Sequence, residues 1–252
     1  MRRWMILGCA GLAMAAAAGA QGGSAERRGV EVSAHVRIDN GVASKTANKT
    51  ADKMGMAKQS PANVVVWLTP LGPDKRPAAT GHPGPFRLVQ KNKMFTPHLL
   101  VVPTGSSVEF PNEDPFFHNV FSLFNGKRFD LGLYESGTSR AVRFDREGVS
   151  YIFCNIHPEM GAVVLALSTP YWGVSNANGE VEIAEVPPGN YRLHVWSETA
   201  ETASPVEAER TVAVGSAAMR LDEIVLEAAT DPMAHHKNKF GEEYKPEEGS
   251  RY

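Results

Sequence analysis

Turn residues cut this chain into short pieces, and that spacing restricts its fold more than any other feature. Residues 87–90, 98–102, 107–110, 120–124, 139–144, 150–153 and 162–167 are brief runs rich in Val, Ile, Phe, Tyr and Leu. Between them stand Pro103-Thr104-Gly105, Pro111-Asn112-Glu113-Asp114, Asn125-Gly126 and Glu147-Gly148. Such clusters supply the backbone conformations that tight turns need, so each run reads as one strand. Many short strands at this spacing predict an all-β sandwich or barrel.

The flanks carry the same signals. Residues 30–38 alternate apolar and polar side chains and stop at Asp39-Asn40-Gly41, the pattern of a half-buried strand. Residues 64–68 form a continuous apolar strand closed by Pro70, and a Pro/Gly-rich connection occupies residues 73–85. Residues 176–196 predict a hairpin, with period-two strands bracketed by Asn178-Gly179 and Pro188-Gly189. Residues 43–60 have no sustained apolar face and read as an exposed loop. Residues 228–252, rich in His, Lys, Glu and Gly, predict a disordered tail.

The amino terminus reads as an export signal. A basic start at Arg2-Arg3 precedes an Ala-rich apolar stretch, and Ala18-Gly19-Ala20 fits a small-residue cleavage site, so residues 1–20 are expected to be removed. Of the two cysteines, Cys9 leaves with that segment and Cys154 stays. A single thiol in an oxidising, periplasmic compartment has no internal partner, which directs attention to a bound or reactive role. Without Arg2 and Arg3 the chain keeps 24 basic against 28 acidic side chains, a net charge of −4 that argues against a nucleic-acid partner. No later apolar run is long enough to span a bilayer.

The remaining thiol stands in Cys154-Asn155-Ile156-His157-Pro158-Glu159-Met160. One loop thus offers a thiolate, an imidazole and a thioether. His118, in Pro115-Phe116-Phe117-His118-Asn119-Val120, adds a second imidazole. Two histidines, one cysteine and a weak axial methionine form the donor set of blue-copper electron-transfer sites. Phe116 and Phe117 are expected to shield that site from water. His98 reads as a structural histidine, and His235-His236 as a chance pair in the tail. A Cys154/His157 nucleophile and base lacks an orienting third group or an oxyanion-hole signature.

Residues 86–169 resemble the plastocyanin-like cupredoxins, in particular the exported methylamine-utilisation proteins. The likeness rests on Phe95-Thr96-Pro97-His98, Phe110-Pro111-Asn112-Glu113-Asp114, Phe117-His118-Asn119-Val120-Phe121-Ser122, Phe129-Asp130-Leu131-Gly132 and the loop from Cys154 to Met160. It implies a Greek-key sandwich with one type 1 copper held by His118, Cys154, His157 and Met160. It also implies that Asn119 ties the ligand loops together. Plastocyanins place four residues between the second histidine and the methionine, whereas here only Pro158 and Glu159 intervene. Met160 and Glu159 both therefore stand as axial candidates.

The hairpin at residues 176–196 resembles the carboxypeptidase regulatory-like sandwich. That likeness implies a small second β-sandwich built discontinuously from residues 28–85 and 170–227, around a copper domain at 86–169. The resulting expectation is a one-electron carrier, not an enzyme, serving an unidentified redox partner protein. A periplasmic copper buffer or delivery protein is the second reading, and a metal-free scaffold module the third.

Overall fold

The computed structural model describes residues 29–39, 60–72, 84–123, 126–202, 210–229 and 236–244. The expected signal segment, Cys9, His235, most of the 43–60 loop and most of the 73–85 connection lie outside the described residues. Those described form an all-β protein, with no helix among them.

Strands β1 (Val30–Asp39) and β2 (Val65–Pro70) come first. The middle of the chain supplies β3 (Phe86–Arg87), β4 (Val89–Lys91), β5 (Met94–Thr96), β6 (Leu99–Pro103), β7 (Ser106–Pro111), β8 (His118–Ser122), β9 (Phe129–Tyr134), β10 (Ser139–Phe144), β11 (Gly148–Cys154) and β12 (Gly161–Leu167). The last part supplies β13 (Trp172–Val174), β14 (Glu180–Val186), β15 (Gly189–Trp196), β16 (Ala200–Thr202), β17 (Thr211–Val214), β18 (Met219–Arg220) and β19 (Ile224–Ala228).

These strands make two sandwiches. In the outer one, a sheet of order β14-β1-β19-β16, with β18 also paired to β1, faces a sheet of order β13-β2-β15-β17. Its strands thus come from both sides of the middle segment. The alternation in β1 turns Val32, Ala34 and Val36 inward, where they meet Val66, Leu68, Ile183, Leu193 and Leu226. In the middle sandwich, a sheet of order β6-β12-β11-β8-β9 faces one of order β10-β7-β3. Its core holds Val108, Phe110, Phe144, Val120, Ile152, Ala162 and Val164.

Continuous apolar strands mark where the two sandwiches meet. Along β12, Ala162, Val164 and Ala166 face the middle core, while Leu165 and Leu167 point the other way. Along β2, Leu68 and Val66 face the outer core, while Val65 and Trp67 join Leu165, Leu167, Val101, Trp172 and Trp196. A strand covered on both faces has no place for polar side chains, which is why these two runs do not alternate. One polar link spans the same junction. The Nε2 atom of His98 lies 2.6 Å from the Glu198 carboxylate, while its Nδ1 lies 3.2 Å from the Gly161 carbonyl.

Candidate metal centre

Strand pairing brings the first two donors together. β8 and β11 are antiparallel neighbours, with Cys154 opposite Val120 and Phe153 opposite Phe121, so His118 and Cys154 stand at the same end of one sheet. The chain then turns back into β12, where Gly161 pairs with Phe153. Within that turn, the Cys154 N–H donates to the Met160 carbonyl at 3.2 Å and the Met160 N–H to the His157 carbonyl at 3.1 Å. The Asn155 N–H donates to the Asn119 carbonyl at 3.2 Å, which joins the ligand loops through backbone.

His118, Cys154 and His157 converge, and all three are buried. Cys154 Sγ lies 3.7 Å from His118 Nδ1 and 3.6 Å from His157 Nδ1, and the two Nδ1 atoms are 3.1 Å apart. A point equidistant from these atoms lies about 2.0 Å from each, the length of a metal–imidazole bond and about 0.3 Å short of a metal–thiolate one. Met160 is completely buried in the core cluster that contains Cys154, whereas Glu159 is exposed.

The surroundings prepare these atoms to donate. His118 Nε2–H donates to Asp114 Oδ2 at 2.8 Å; an ionised carboxylate only accepts, so the neutral ring keeps its lone pair on Nδ1, facing the cluster. Burial lowers the basicity of His118, and Asp114 opposes that shift. Asp114 is itself held. Burial pushes its carboxyl up, but the Lys93 N–H, the His118 ring and the Asn92 N–H outweigh burial and keep it below the usual aspartate range. Those two amides point together because Asn92 and Lys93 form the two-residue turn between β4 and β5, both with positive φ.

Cys154 shows the opposite balance. Burial pushes its thiol up, against backbone N–H groups of Asn119, Ile156 and His157 that favour the thiolate. A cation held among the three donors would supply the charge that this balance lacks. The donor set, its lone pairs and its spacing therefore fit a soft metal such as copper.

Phe116 packs on both imidazoles, with ring centroids 5.2 Å from His118 and 5.5 Å from His157. Phe117, expected to shield the site as well, is instead 56% exposed. The chain bends over residues 114–116 before entering β8, and of the two phenylalanines Phe116 is the one that lies against the imidazoles.

Sequence reasoning missed Asp114, although its position four residues before His118 was a usable signal. It also missed residues 236–244. Composition predicts disorder there, yet His236 stacks on Phe153 at a centroid distance of 4.1 Å and Lys239 Nζ bonds the Asp130 carboxylate at 2.7 Å.

No family model matches the chain, and no curated protein does. Among solved structures it is similar to a novel purple cupredoxin from Nitrosopumilus maritimus, at 23% identity over 33% of this chain and 100% of that one, with a TM-score of 0.30. It is similar to the copper-containing nitrite reductase of Thermus scotoductus SA-01, at 24% identity over 39% of this chain and 25% of that one, with a TM-score of 0.32. A third similar structure is amicyanin from Paracoccus versutus, at 19% identity over 40% of this chain and 97% of that one, with a TM-score of 0.30. The fold and the cluster together define an all-β protein with a buried nitrogen and sulfur donor site.

Proposed function

We propose that this protein is an exported one-electron carrier in which His118, Cys154 and His157 hold a single type 1 copper ion and Met160 is the weak axial donor. The convergence of Cys154 Sγ with two Nδ1 atoms in a buried pocket carries this reading. Bound copper supplies the centre that accepts and returns one electron. The protein's part is to hold the donors still: Asp114 orients His118, three backbone N–H groups face the Cys154 sulfur, and Phe116 covers both imidazoles.

A covered site with preset donors suits electron transfer better than catalysis, which needs an open position for substrate. Phe117, Leu133 and Ile156 expose apolar surface on the segments that carry or flank the donors, which suits docking of a redox partner protein. The export signal read from residues 1–20 supports a periplasmic location.

Addition of Cu(II) to the purified protein, followed by visible and EPR spectroscopy, tests the proposal. An intense thiolate-to-copper band with narrow hyperfine splitting is expected. A colourless, tight Cu(I) complex instead points to copper buffering or delivery. Absence of binding, or binding unchanged in Cys154→Ser, overturns both copper readings and leaves the scaffold role.

A further inference from the structure

Beyond β19, residues 236–244 join no sheet of the described residues, yet they lie across the donor-bearing end of the middle sandwich. Their contacts fall on the residues beside the donors. The Lys239 N–H donates to Asn155 Oδ1 at 2.9 Å, and Lys239 Nζ donates to Asp130 Oδ2 at 2.7 Å. Asp130 Oδ1 accepts from Asn119 Nδ2 at 2.7 Å, and the Asn119 carbonyl accepts from the Asn155 N–H at 3.2 Å. This is a closed ring of four residues. Asn119 directly follows His118, and Asn155 directly follows Cys154.

Two further contacts reach the cysteine and its neighbour. The Tyr244 O–H donates to the Cys154 carbonyl at 2.9 Å. The His236 ring stacks on Phe153, the residue before Cys154, with an interplanar angle of 16°. The segment also holds its own shape: Asn238 Oδ1 accepts from the N–H groups of Phe240 and Glu242 at 2.9 and 3.0 Å. It therefore meets the sandwich as a preformed turn.

We propose that residues 236–244 form a strap that positions the metal donors, with Lys239 and Tyr244 as its positioning residues. This rests on reading His118, Cys154 and His157 as metal ligands. The contacts named above fall on the Cys154 carbonyl and on the side chains of Asn155, Asp130 and Phe153. The strap fixes the backbone on either side of Cys154 and after His118, so that the Sγ and Nδ1 positions are retained with the metal absent or present. Partners at one remove from a metal ligand commonly change affinity by about 10- to 100-fold when removed.

Five proteins test the strap: the full chain, a chain ending at Ala229, Lys239→Met, Lys239→Arg and Tyr244→Phe. Each is loaded with Cu(II), and absorption, EPR and the rate of copper transfer to a competing chelator are recorded. The truncated chain and Lys239→Met are expected to release copper about tenfold faster and to show altered hyperfine splitting. Tyr244→Phe is expected to shift the spectrum in the same sense, and Lys239→Arg to restore the full-chain behaviour. Circular dichroism of the metal-free proteins shows whether the sandwiches persist; if the truncated chain does not fold, Tyr244→Phe decides, since it removes one oxygen atom. Copper binding by the full chain with unchanged spectra and release rates in Lys239→Met and Tyr244→Phe overturns the strap alone. If the full chain binds copper in neither oxidation state, the ligand reading is overturned and the strap with it.

Discussion

Glu159 and Met160 are chain neighbours on opposite sides of the protein surface: the carboxylate is exposed, and the thioether is wholly buried in the core that holds Cys154. The short spacing after His157 does not push Met160 out. It places Met160 where its backbone bonds both Cys154 and His157. Met160→Leu should therefore keep copper binding and move the absorption and EPR parameters, while Glu159→Gln should leave both unchanged. Spectra of the two copper-loaded variants check this, and a shift confined to Glu159→Gln would reverse the assignment.

Asp114 is the charged group that settles the His118 tautomer. In Asp114→Asn a single side-chain oxygen is left for the Asn92 and Lys93 N–H groups, which bond different oxygens of the carboxylate, and the charge facing His118 is gone. Copper affinity should fall by about 10- to 100-fold with the fold intact. Competition titration against a chelator of known affinity measures it, and an unchanged affinity would show that the carboxylate has no such role.

The Asp130–Lys239 bridge implies a pH dependence. Burial pushes the Asp130 carboxyl up, but Lys239, Asn119 and the Gly132 N–H together hold it below the ordinary value of 3.8. A folded-state value below the unfolded one means that the bridge stabilises the protein fully above pH 3.8 and loses that effect as pH falls through the lowered value. The Asp130 carboxyl signal in an NMR titration should accordingly move upward in Lys239→Met. No movement would mean that the bridge does not form in solution.

The junction between the sandwiches should be costly to hollow out. Leu165 is 2% exposed and packs among Val101, Leu167, Trp67 and Trp196, so Leu165→Ala should destabilise by about 2–5 kcal/mol. Ile156, on the exposed side of the ligand loop, should lose no more than about 0.5 kcal/mol on change to Ala. Denaturant unfolding of the two variants compares them.

Local signals made the strands readable. Alternation in residues 30–38 showed both the strand and its inward face, and Cys154-x-x-His157 with His118 pointed to the three atoms that the structure brings together. What escaped was set by tertiary placement. Phe116 and Phe117 have the same chemistry, and only the direction of the segment before β8 decides which one covers the imidazoles. Asp114 is an ordinary turn residue until the β4–β5 turn arrives from elsewhere in the chain. Residues 236–244 look solvated by composition, because their hold on the sandwich comes from a few well-placed polar bonds and one stacked ring.

The outer sandwich pairs β1 with β14 and β19, strands that lie more than 140 residues later in the chain. The middle sandwich draws all its strands from one uninterrupted stretch. During synthesis β1 must therefore wait, unpaired, while the donor-bearing unit has everything it needs to close. Long waits of this kind slow folding and leave edges open to wrong partners. The donor-bearing part of the molecule is thus placed to mature first, and residues 236–244, which follow it in the chain, arrive to find their seat already built.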